Sequence, residues 1–586
     1  MPTLDWIGKS KVVNHHLDVP YCVLDRKYSY DEQGQHQEDN GSENMIIHGD
    51  NLLALKSLLP QYEGRIKCIY IDPPYNTGNE SWVYNDNVND PQIKSWLNKV
   101  VGKEGEDLSR HDKWLCMMYP RLKLLQRLLA EDGVIFISIG DDEVSNLRHM
   151  CDDIFGYQNR IAILVWKSRA KPSNTGVAKV NPQKDAEYII CYGKTSRPSF
   201  QVVTSGQERS YPHQDGDGKY RLQTILKSNR GESKRDTMTF ELDGYKPPVT
   251  KRWQAGEETI KELYANNRIT FQTGEPMRKY YEHEENDETS PFYCFVSRED
   301  SSTAEEGKKL LNDILGNQHG FDTVKPTAII TYLLKHSVTK DSIILDSFAG
   351  SGTTAHAVFN LNKEDGGQRK IILIEMGDYA DNITAERVKR VIKGYKPASN
   401  EEELIYDEEL KPSNLDNAPQ MLADARLAKQ AARDSGEYDS VGNPRIVNNH
   451  LQVIGKIKTS DKIVGTGGSF SYYELGEPIF ASDGEMLNEA IGREEICKYV
   501  YFTETREPLE PYRSEEPCYM GLHCGTAYYF NYDKDRSTTL NREFLHTVKT
   551  RADAYVIYAD RCTLSQQELE KWHITFKKIP RDISRL

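Results

Sequence analysis

The sequence predicts an α/β protein whose mostly parallel sheet is interrupted by a long insertion and followed by a smaller α/β domain. Two stretches, 44–192 and 325–391, alternate short apolar runs typical of buried strands with amphipathic runs typical of helices. Between them, from 195 to 318, the alternation gives way to polar, Gly- and Lys-rich sequence with scattered aromatic residues. Because the second stretch has too few strand-like runs to form a sheet alone, we expect both stretches to build one sheet.

In the first stretch, strand-like and helix-like runs alternate as they do in a parallel sheet covered by helices. The clearest strand is Gly133–Ile139 (GVIFISI), and Ile66–Ile71 (IKCIYI) is a buried strand of the same kind. Further strands are expected at 45–48, 161–166 and 188–192, and helices at 51–59, 113–129 and 142–154. The second stretch adds helices at 325–336, from Thr353 and at 384–391, with strands at 342–345 and 370–374.

Size and composition exclude several classes of protein. A chain of 586 residues is too long for one compact core, so we expect several domains. No apolar run is long enough to span a bilayer, and the N-terminal sequence has no apolar stretch like that of a secretory signal. The ten cysteines are scattered and form no zinc-binding pattern, so we expect reduced thiols, no metal site and a cytoplasmic location.

Charge is distributed unevenly along the chain. The net charge of −14 by itself argues against a nucleic-acid partner. From Asn159 to Tyr280, however, there are 22 Lys and Arg against 13 Asp and Glu, which leaves a local net charge of +9. A basic segment within an acidic protein is typical of a DNA-contacting module, although a solvated Lys-rich surface gives the same pattern.

The first loop that carries chemistry is Asp72-Pro73-Pro74-Tyr75, directly after the strand that ends at Ile71. Ligand sites of parallel sheets gather beyond the carboxyl ends of strands. Two prolines make the backbone rigid, a carboxylate adds a hydrogen-bond acceptor, and a tyrosine adds a flat ring. Acceptors beside a stacking ring suit a flipped-out base with an exocyclic amino group, whereas the plainer interpretation is a Pro-rich turn.

The second loop, residues 346–355 (DSFAGSGTTA), lies between a strand and a helix. Gly350 and Gly352 allow a tight turn and a close approach of the backbone to a ligand, and with Ala355 they satisfy the loose G-x-G-x-x-G/A fingerprint. Glu375 ends the next strand, 25 residues after Gly350, where an acid that binds a ribose belongs. By itself this loop fits either NAD or S-adenosylmethionine.

Together the two loops resemble those of the DNA amino-methyltransferases. Asp72-Pro73-Pro74-Tyr75 matches that family's D-P-P-Y catalytic loop, and DSFAGSGTT matches its F-x-G-x-G cofactor loop. The catalytic loop comes first here, an order that resembles the β class, in which the target-recognition region lies between the two halves. GDNLLALKSLL from Gly49, the long run from Trp114 to Gly156 and FDTVKPTAIITYLL from Phe321 resemble the modification subunits of type III restriction systems.

The resemblance implies a Rossmann-like S-adenosylmethionine-dependent methyltransferase sheet split by an inserted target-recognition domain, plus a smaller C-terminal α/β domain. The expected domains are an N-terminal extension (1–40), the catalytic half (41–195), the target-recognition domain (196–318), the cofactor-binding half (319–396), a charged helical linker (397–440) and a C-terminal domain (441–586).

The resemblance also implies an activity and partners. The chain is expected to methylate the N6 amino group of adenine in double-stranded DNA, because an aspartate at the first position of the catalytic loop is typical of adenine methylation. The implied partners are a second copy of the chain and a separate helicase–nuclease restriction subunit. No G-x-x-x-x-G-K-[ST] motif occurs, so any motor belongs to another chain.

Each candidate site residue has an expected role. Asp72, Pro73, Pro74 and Tyr75 form the catalytic loop, in which Asp72 and the Pro73 carbonyl accept hydrogen bonds from the target amine and Tyr75 stacks on the base. The expected cofactor-binding residues are Asp346, Phe348, Gly350, Gly352, Thr353, Glu375, Lys325 and Asp50, of which Asp50 equally fits the N-cap of the following helix. The candidates for phosphate contacts are Lys167, Arg169 and Lys171.

Four other functions compete with this interpretation. A solitary adenine methyltransferase and a cytosine-N4 methyltransferase keep the chemistry and change the partner or the base. A nicotinamide oxidoreductase explains the glycine loop and Glu375, but gives Asp72-Pro73-Pro74-Tyr75 no role. A DNA-binding subunit without activity does not explain why both reactive loops are intact.

Overall fold

The computed structural model of the protein describes residues 3–77, 110–170, 180–204, 209–230, 234–271, 274–285, 289–398, 400–411, 413–447, 449–458, 462–481, 486–509, 516, 518–580 and 582–585. The chain divides into two compact units. The larger one comprises Met1–Gln201 and Tyr293–Leu586, and the smaller one comprises Val202–Phe292.

The larger unit is built on one sheet, in which eleven strands lie within the described residues. In chain order they are Cys22–Asp31 (β1), Gly34–His36 (β2), Met45–His48 (β3), Ile66–Ile71 (β4), Leu129–Ile139 (β5), Arg160–Trp166 (β6), Glu187–Gly193 (β7), Phe295–Val296 (β8), Ile343–Asp346 (β9), Lys370–Glu375 (β10) and Ser469–Pro478 (β11). Their order across the sheet is β8-β6-β7-β5-β4-β9-β10-β3-β11-β1-β2. Strands from both predicted stretches are neighbours, so the prediction of one shared sheet is confirmed.

The middle of the sheet is parallel and buried. β5, β4, β9, β10, β3 and β11 all run in the same direction. All six residues of β4 are buried, as the continuous apolar run IKCIYI predicts for a strand covered on both faces. β7 runs antiparallel to β5, and therefore begins at the edge of the sheet where β4 and β5 end.

Six helices flank the strands that carry the predicted loops. They are Asn51–Tyr62 (α1), Arg110–Leu128 (α2), Val144–Cys151 (α3), Thr327–Ser337 (α4), Thr353–Asp365 (α5) and Glu386–Lys393 (α6). The predicted start at Lys325 is two residues early, because Pro326 is the extended N-cap of α4 and disfavours helical backbone in the residue before it. A wider helical turn, Ala380–Ala385, precedes α6.

The remaining α-helices of the larger unit within the described residues are Lys9–Val12, His15–Asp18, Arg298–Ser301, Ala304–Leu315, Ala418–Ser435, Arg493–Thr505, Arg542–Leu545 and Gln566–Lys571. No helix in the part of the chain that the structure describes is both long and apolar enough to cross a bilayer.

The smaller unit is a compact β-rich body with one α-helix among its described residues. Its strands are Val203–Thr204, His213–Asp215, Gly218–Thr224, Leu226–Ser228, Lys251–Trp253, Ile269–Thr270, Met277–Tyr281 and Thr289–Ser290, and its helix is Glu257–Ala265. Trp253 is fully buried in a small core and stacks against Phe240. Several of its basic side chains are paired internally, such as Arg221 with Glu285 and Lys279 with Asp215.

The C-terminal part departs from the prediction in two places. The acidic run within 397–440 was expected to be helical, but Asn400–Glu409 is a strand that pairs antiparallel with His450–Lys458. Its backbone pairs with that partner strand along most of its length, and the helix of this region, Ala418–Ser435, follows it. Within 441–586, β11 belongs to the main sheet, beside β3 and β1.

Further strands of this part form small sheets. Tyr519–His523, Thr526–Phe530, Ala554–Ala559 and Ile574–Lys578 build a four-stranded sheet. The short strands Gly394–Tyr395 and Ile463–Val464 pair with each other, as do Thr539–Leu540 and Arg561–Cys562. Ser440–Val441 and Arg445–Val447 both pair with His450–Lys458.

Candidate active site

Two neighbouring parallel strands bring the predicted loops to one edge of the sheet. β4 pairs with β9, with Cys68 opposite Ile344 and Ile69 opposite Leu345. The loop from Asp72 therefore leaves the sheet beside the loop from Asp346, at the carboxyl edge where ligands of open α/β sheets bind. The cleft there is lined by Tyr70, Asp72, Phe321, Thr323, Val324, Lys325, Asp346, Phe348, Ala349, Gly350, Ser351, Thr353 and Thr354.

The carboxylate of Asp72 is held by the side chain of Lys325. Nζ of Lys325 lies 2.9 Å from Oδ1 and 2.8 Å from Oδ2 of Asp72. Burial raises the pKa of Asp72, and the ammonium group of Lys325 opposes that rise. Burial lowers the pKa of Lys325, but the carboxylates of Asp72 and Glu187 outweigh it and hold that pKa above its ordinary value. Lys325 is therefore a stable cation beside the carboxylate of the catalytic loop.

The rest of the catalytic loop is anchored by two neighbouring elements. Trp114, in the first turns of α2, donates its indole N–H to the carbonyl of Pro74 at 2.7 Å. Tyr75 donates its hydroxyl to Oε2 of Glu187, the first residue of β7, at 2.8 Å. A Cβ added at Gly140, after β5, would lie 3.1 Å from the ring of Tyr75, so this glycine lets the ring pack closely. The loop is thus held rigidly at the edge of the sheet.

Asp346 holds the glycine loop together. Its Oδ1 accepts the backbone N–H of Phe348 at 3.0 Å, and its Oδ2 accepts the hydroxyl of Thr354 at 2.5 Å. Burial raises the pKa of Asp346 to about 7, against the effect of these two hydrogen bonds. In this structure Asp346 therefore ties the end of β9 to the start of α5.

Glu375 supports the same loop from the end of β10. Its carboxylate accepts the N–H of Gly350 at 2.7 Å, the N–H of Gly377 at 2.9 Å and the hydroxyl of Tyr379 at 2.9 Å. Burial raises its pKa, and these hydrogen bonds work against that rise. The backbone of Met376 also hydrogen-bonds to this carboxylate, so Glu375 ties the end of β10 to the glycine loop.

A buried arginine of α6 supports the glycine loop. Nη1 of Arg387 in α6 donates to Oγ of Ser351 at 2.9 Å and to Oγ1 of Thr353 at 2.8 Å, and burial lowers the pKa of Arg387 to about 9. Thr384 donates its hydroxyl to the carbonyl of Gly350 at 2.6 Å. Gly352 has φ +78°, and a Cβ there would lie 3.1 Å from the carbonyl oxygen of Thr384. The loop needs glycine at this position both for its backbone angle and for space.

The chemistry of the cleft fits a flat nucleoside that carries a positive charge. Tyr70, Phe321 and Phe348 supply aromatic walls, and Asp72 and Asp346 supply carboxylates. A Cβ at Gly350 would point toward Phe321, 3.9 Å away, so glycine keeps open the space between the loop and that ring. Aromatic walls suit a purine, and carboxylates suit a sulfonium or ammonium group.

Other predicted residues lie away from the cleft. Asp50 is the N-cap of α1 and accepts the N–H groups of Leu52 at 2.8 Å and Leu53 at 3.3 Å, and it is not among the described residues that line the cleft. Lys167 forms an ion pair with Asp185, while Arg169 is exposed. Lys171 lies outside the described residues.

The sequence does not assign several residues to the site, such as Tyr70 and Phe321 of the cleft lining, and three more that support the two loops. Glu187 is a lone acid at the start of a strand, and its position at the catalytic edge depends on β7 being antiparallel. Trp114 begins an amphipathic helix, where a core role was the simpler assumption. Arg387 lies among other charged residues of α6, and its burial depends on how that helix packs. None of the three has a local sequence signal that marks its role.

Residues 66–386 match the family described as DNA methylase, a span that contains both loops of the cleft. The chain belongs to the DNA methylase family. The predicted resemblance to the DNA amino-methyltransferases is thereby confirmed, as is the predicted α/β fold. S-adenosylmethionine is the methyl donor in this family, so the cofactor prediction is confirmed with it.

Individual relatives of this DNA methylase include modification subunits of type III systems. The StyLTI Mod subunit of Salmonella typhimurium (strain LT2) is 35% identical over 405 residues, which are 62% of this chain and 59% of that protein. The EcoPI Mod subunit of Escherichia phage P1 is 30% identical over 450 residues, 67% of this chain and 68% of that subunit. The type II methyltransferase M.KpnI of Klebsiella pneumoniae is 30% identical, over 60% of this chain and 84% of that enzyme. The match to the StyLTI subunit thus spans less than two thirds of its length.

Proposed function

We propose that this DNA methylase transfers the methyl group of S-adenosylmethionine to the N6 amino group of adenine in double-stranded DNA, as the modification subunit of a type III-like restriction–modification system. The observation that carries the proposal is the position of the Asp72 carboxylate. It lies in the same cleft as the glycine loop, because β4 and β9 are parallel neighbours. An aspartate at this position of the loop favours adenine over cytosine as the target.

The cofactor would be held by the second loop. Phe348, Gly350, Gly352 and Thr353 would pack against it, and Glu375, at the end of the next strand, would face its ribose. Asp346 and Lys325 line the same cleft. When bound, S-adenosylmethionine supplies an electrophilic methyl group on a positively charged sulfur. Asp50 is a weaker candidate, because its carboxylate caps α1.

The target base would be held by the first loop. The amino group of adenine is a poor nucleophile, because its lone pair is delocalised into the ring. Hydrogen bonds from this amine to Asp72 and to the carbonyl of Pro73 would favour a more nucleophilic nitrogen and would orient it toward the methyl group. The carbonyl of Pro74 instead accepts the indole N–H of Trp114, which anchors the loop. Tyr75 would stack on the flipped base.

DNA contacts are assigned to the smaller unit and to the chain just after β6. The expected target-recognition domain, 196–318, contains the whole smaller unit, 202–292. Arg169 is exposed and is our first candidate for a phosphate contact. Lys167 is already paired with Asp185, so we expect it to contribute less to phosphate binding than Arg169. Lys171 stays a candidate on the basis of sequence alone.

The partners follow from the Mod relatives. We propose that two copies of the chain act together and that a separate helicase–nuclease subunit completes the restriction system, with the cytoplasm as the site of action. The names of the relatives support this assignment, since two of those described above are Mod subunits of type III enzymes. A solitary methyltransferase would keep the same cleft chemistry without that subunit.

The proposal is tested by incubating the protein with unmethylated genomic DNA and S-adenosylmethionine labelled in the methyl group, followed by digestion to nucleosides. We expect the label in N6-methyladenine. Label in N4-methylcytosine would overturn the assignment of the base, and a protein that binds the cofactor but labels no DNA would overturn the assignment of the substrate.

A further inference from the structure

A second carboxylate lies behind the Asp72–Lys325 pair. Nζ of Lys325 is 3.3 Å from Oε2 of Glu187, in addition to its two contacts with Asp72. The same Oε2 accepts the hydroxyl of Tyr75 at 2.8 Å. The ammonium group of Lys325 also lies 4.9 Å from the centre of the Tyr75 ring. One glutamate thus contacts both the cation beside Asp72 and the aromatic residue of the catalytic loop.

Three separate segments of the chain build this cluster. Asp72 and Tyr75 follow β4, Glu187 begins β7, and Lys325 precedes the proline that starts α4. The side chain of Lys325 is 8% exposed and that of Glu187 is 18% exposed, so both groups are shielded from bulk water. Charges in such a site interact more strongly than surface charges do.

Lys325 occupies the place that the target amine needs. Both oxygens of Asp72 are within hydrogen-bond distance of Nζ, so an incoming amino group competes with Lys325 for them and can displace it from one. Lys325 then needs another acceptor within reach, because an unpaired buried ammonium group is costly. Glu187 is that acceptor, since it already lies 3.3 Å from the same nitrogen.

The charge of the cluster matters for the reaction. With Lys325 protonated and both carboxylates ionised, Asp72, Glu187 and Lys325 carry a net charge of −1. Methyl transfer would replace the S–CH3 bond by an N–CH3 bond and would place positive charge on the amine nitrogen, until that nitrogen loses a proton to the Asp72 carboxylate or to water. A net negative cluster stabilises this charge, whereas Asp72 and Lys325 alone would be neutral.

We propose, on the basis of the function proposed above, that Glu187 is a positioning residue for methyl transfer. It retains Lys325 when the target amine binds Asp72, fixes the ring of Tyr75 through the hydroxyl, and keeps the cluster negative around the reacting nitrogen.

The proposal predicts opposite effects on the pH dependence for two variants. The charged and titratable groups that act on Asp72 are Lys325, Glu187, Tyr75, Tyr70 and Asp346. Burial raises the pKa of Asp72, Glu187 raises it further, and Lys325 lowers it. Glu187→Gln should therefore move the acid limb of the rate profile to lower pH, and Lys325→Gln should move it to higher pH.

The chain contains a matched control for Glu187. Glu504 accepts the hydroxyl of Tyr558 at 2.7 Å and contacts Nζ of Lys577 at 2.6 Å and 2.8 Å. It thus reproduces the Tyr–Glu–Lys arrangement, but in the C-terminal part and without a neighbouring Asp72. Glu504→Gln reports what the loss of such a glutamate does to stability alone.

The experiment measures single-turnover methyl transfer to DNA between pH 5 and 9 for the wild type, Glu187→Gln, Lys325→Gln and Glu504→Gln, together with cofactor Kd and thermal unfolding. We expect Glu187→Gln to slow transfer by about tenfold or more, as loss of one nearby charge in a shielded site predicts, with little change in cofactor Kd. The acid limb of its rate profile should move to lower pH, and the acid limb of Lys325→Gln should move to higher pH. Glu504→Gln should change neither the rate nor the position of the acid limb.

A Glu187→Gln variant with the rate and pH profile of Glu504→Gln would overturn the inference and leave the proposed function intact. If the acid limbs of Glu187→Gln and Lys325→Gln moved in the same direction, the inference would be overturned as well. A wild-type protein that binds cofactor and methylates no DNA would overturn the proposed function itself, and this inference with it.

Discussion

Gly352→Ala tests whether the glycine loop binds the cofactor. Gly352 is the N-cap of α5, with φ +78° and ψ +27° in the left-handed region. Alanine would place a Cβ 3.1 Å from the carbonyl oxygen of Thr384 and 3.3 Å from its Cγ2. Because the hydroxyl of Thr384 donates to the carbonyl of Gly350, moving Thr384 also moves the other glycine of the loop.

The magnitude follows from these two effects. The left-handed backbone costs a residue with a Cβ about 1–2 kcal/mol relative to glycine. The close contact with Thr384 adds to this, for a total loss of about 2–3 kcal/mol in the free energy of unfolding. If about 2 kcal/mol of this strain falls on the cofactor-binding conformation, the Kd for S-adenosylmethionine rises by about 30-fold.

Gly366→Ala is the control, at the other end of the same helix. Gly366 also has a left-handed backbone, φ +67°, but a Cβ there would meet no atom within 4 Å. We expect it to lose about 1–2 kcal/mol of stability and to keep its cofactor affinity. Titration calorimetry with S-adenosylmethionine and denaturant unfolding of both variants make the comparison. A cofactor Kd for Gly352→Ala within twofold of the wild type would refute the assignment of this loop.

Two further predictions concern Asp346 and the DNA contact. Because burial raises the pKa of Asp346 to about 7, the folded state binds its proton more tightly than the unfolded state does, and stability should fall as pH rises from about 4 to about 7. Asp346→Asn should remove about 3 kcal/mol of that fall between pH 5 and pH 8, measured by denaturant unfolding, and an unchanged difference in stability between these two pH values would contradict the shift. Arg169→Ala should weaken DNA binding on any sequence and reduce the slope of log K against log salt by about one. Arg197, which is also exposed and lies beyond the other end of β7, is its control, and equal slopes for the two variants would argue against a phosphate contact at Arg169.

The strands and loops of the active site could be predicted because their signals are local. The buried run IKCIYI and the glycine loop each indicate where a strand ends. Because the two strands are parallel, their carboxyl ends lie at the same edge of the sheet. The prediction of a helix at the acidic run 400–409 was wrong, because charged residues in a strand that is exposed along much of its length have the same composition as those of a solvated helix. Its partner strand, His450–Lys458, lies more than forty residues away, so the sequence of the run itself does not indicate the pairing.

The contacts between side chains could not be predicted from the sequence. Lys325 was expected to line the cofactor site, and it does line the cleft, but its ammonium group binds Asp72, 253 residues away. Glu187 joins that pair only because β7 is antiparallel to β5, which the apolar pattern of a strand does not reveal. Asp50 fitted two roles in the sequence, and the structure shows it as the N-cap.

The most direct test of the account is the rate of single-turnover methyl transfer by Asp72→Asn at full occupancy of the cofactor. Asp132→Asn is its control, since Asp132 forms an ion pair with Lys67 at 2.6 Å near the opposite end of β4. We predict that Asp72→Asn, when saturated with S-adenosylmethionine, transfers the methyl group to adenine at least about 100-fold more slowly than the wild type, while Asp132→Asn keeps its rate. Transfer by Asp72→Asn within a few-fold of the wild-type rate would contradict the account, because the carboxylate at the end of β4 would then have no part in the reaction.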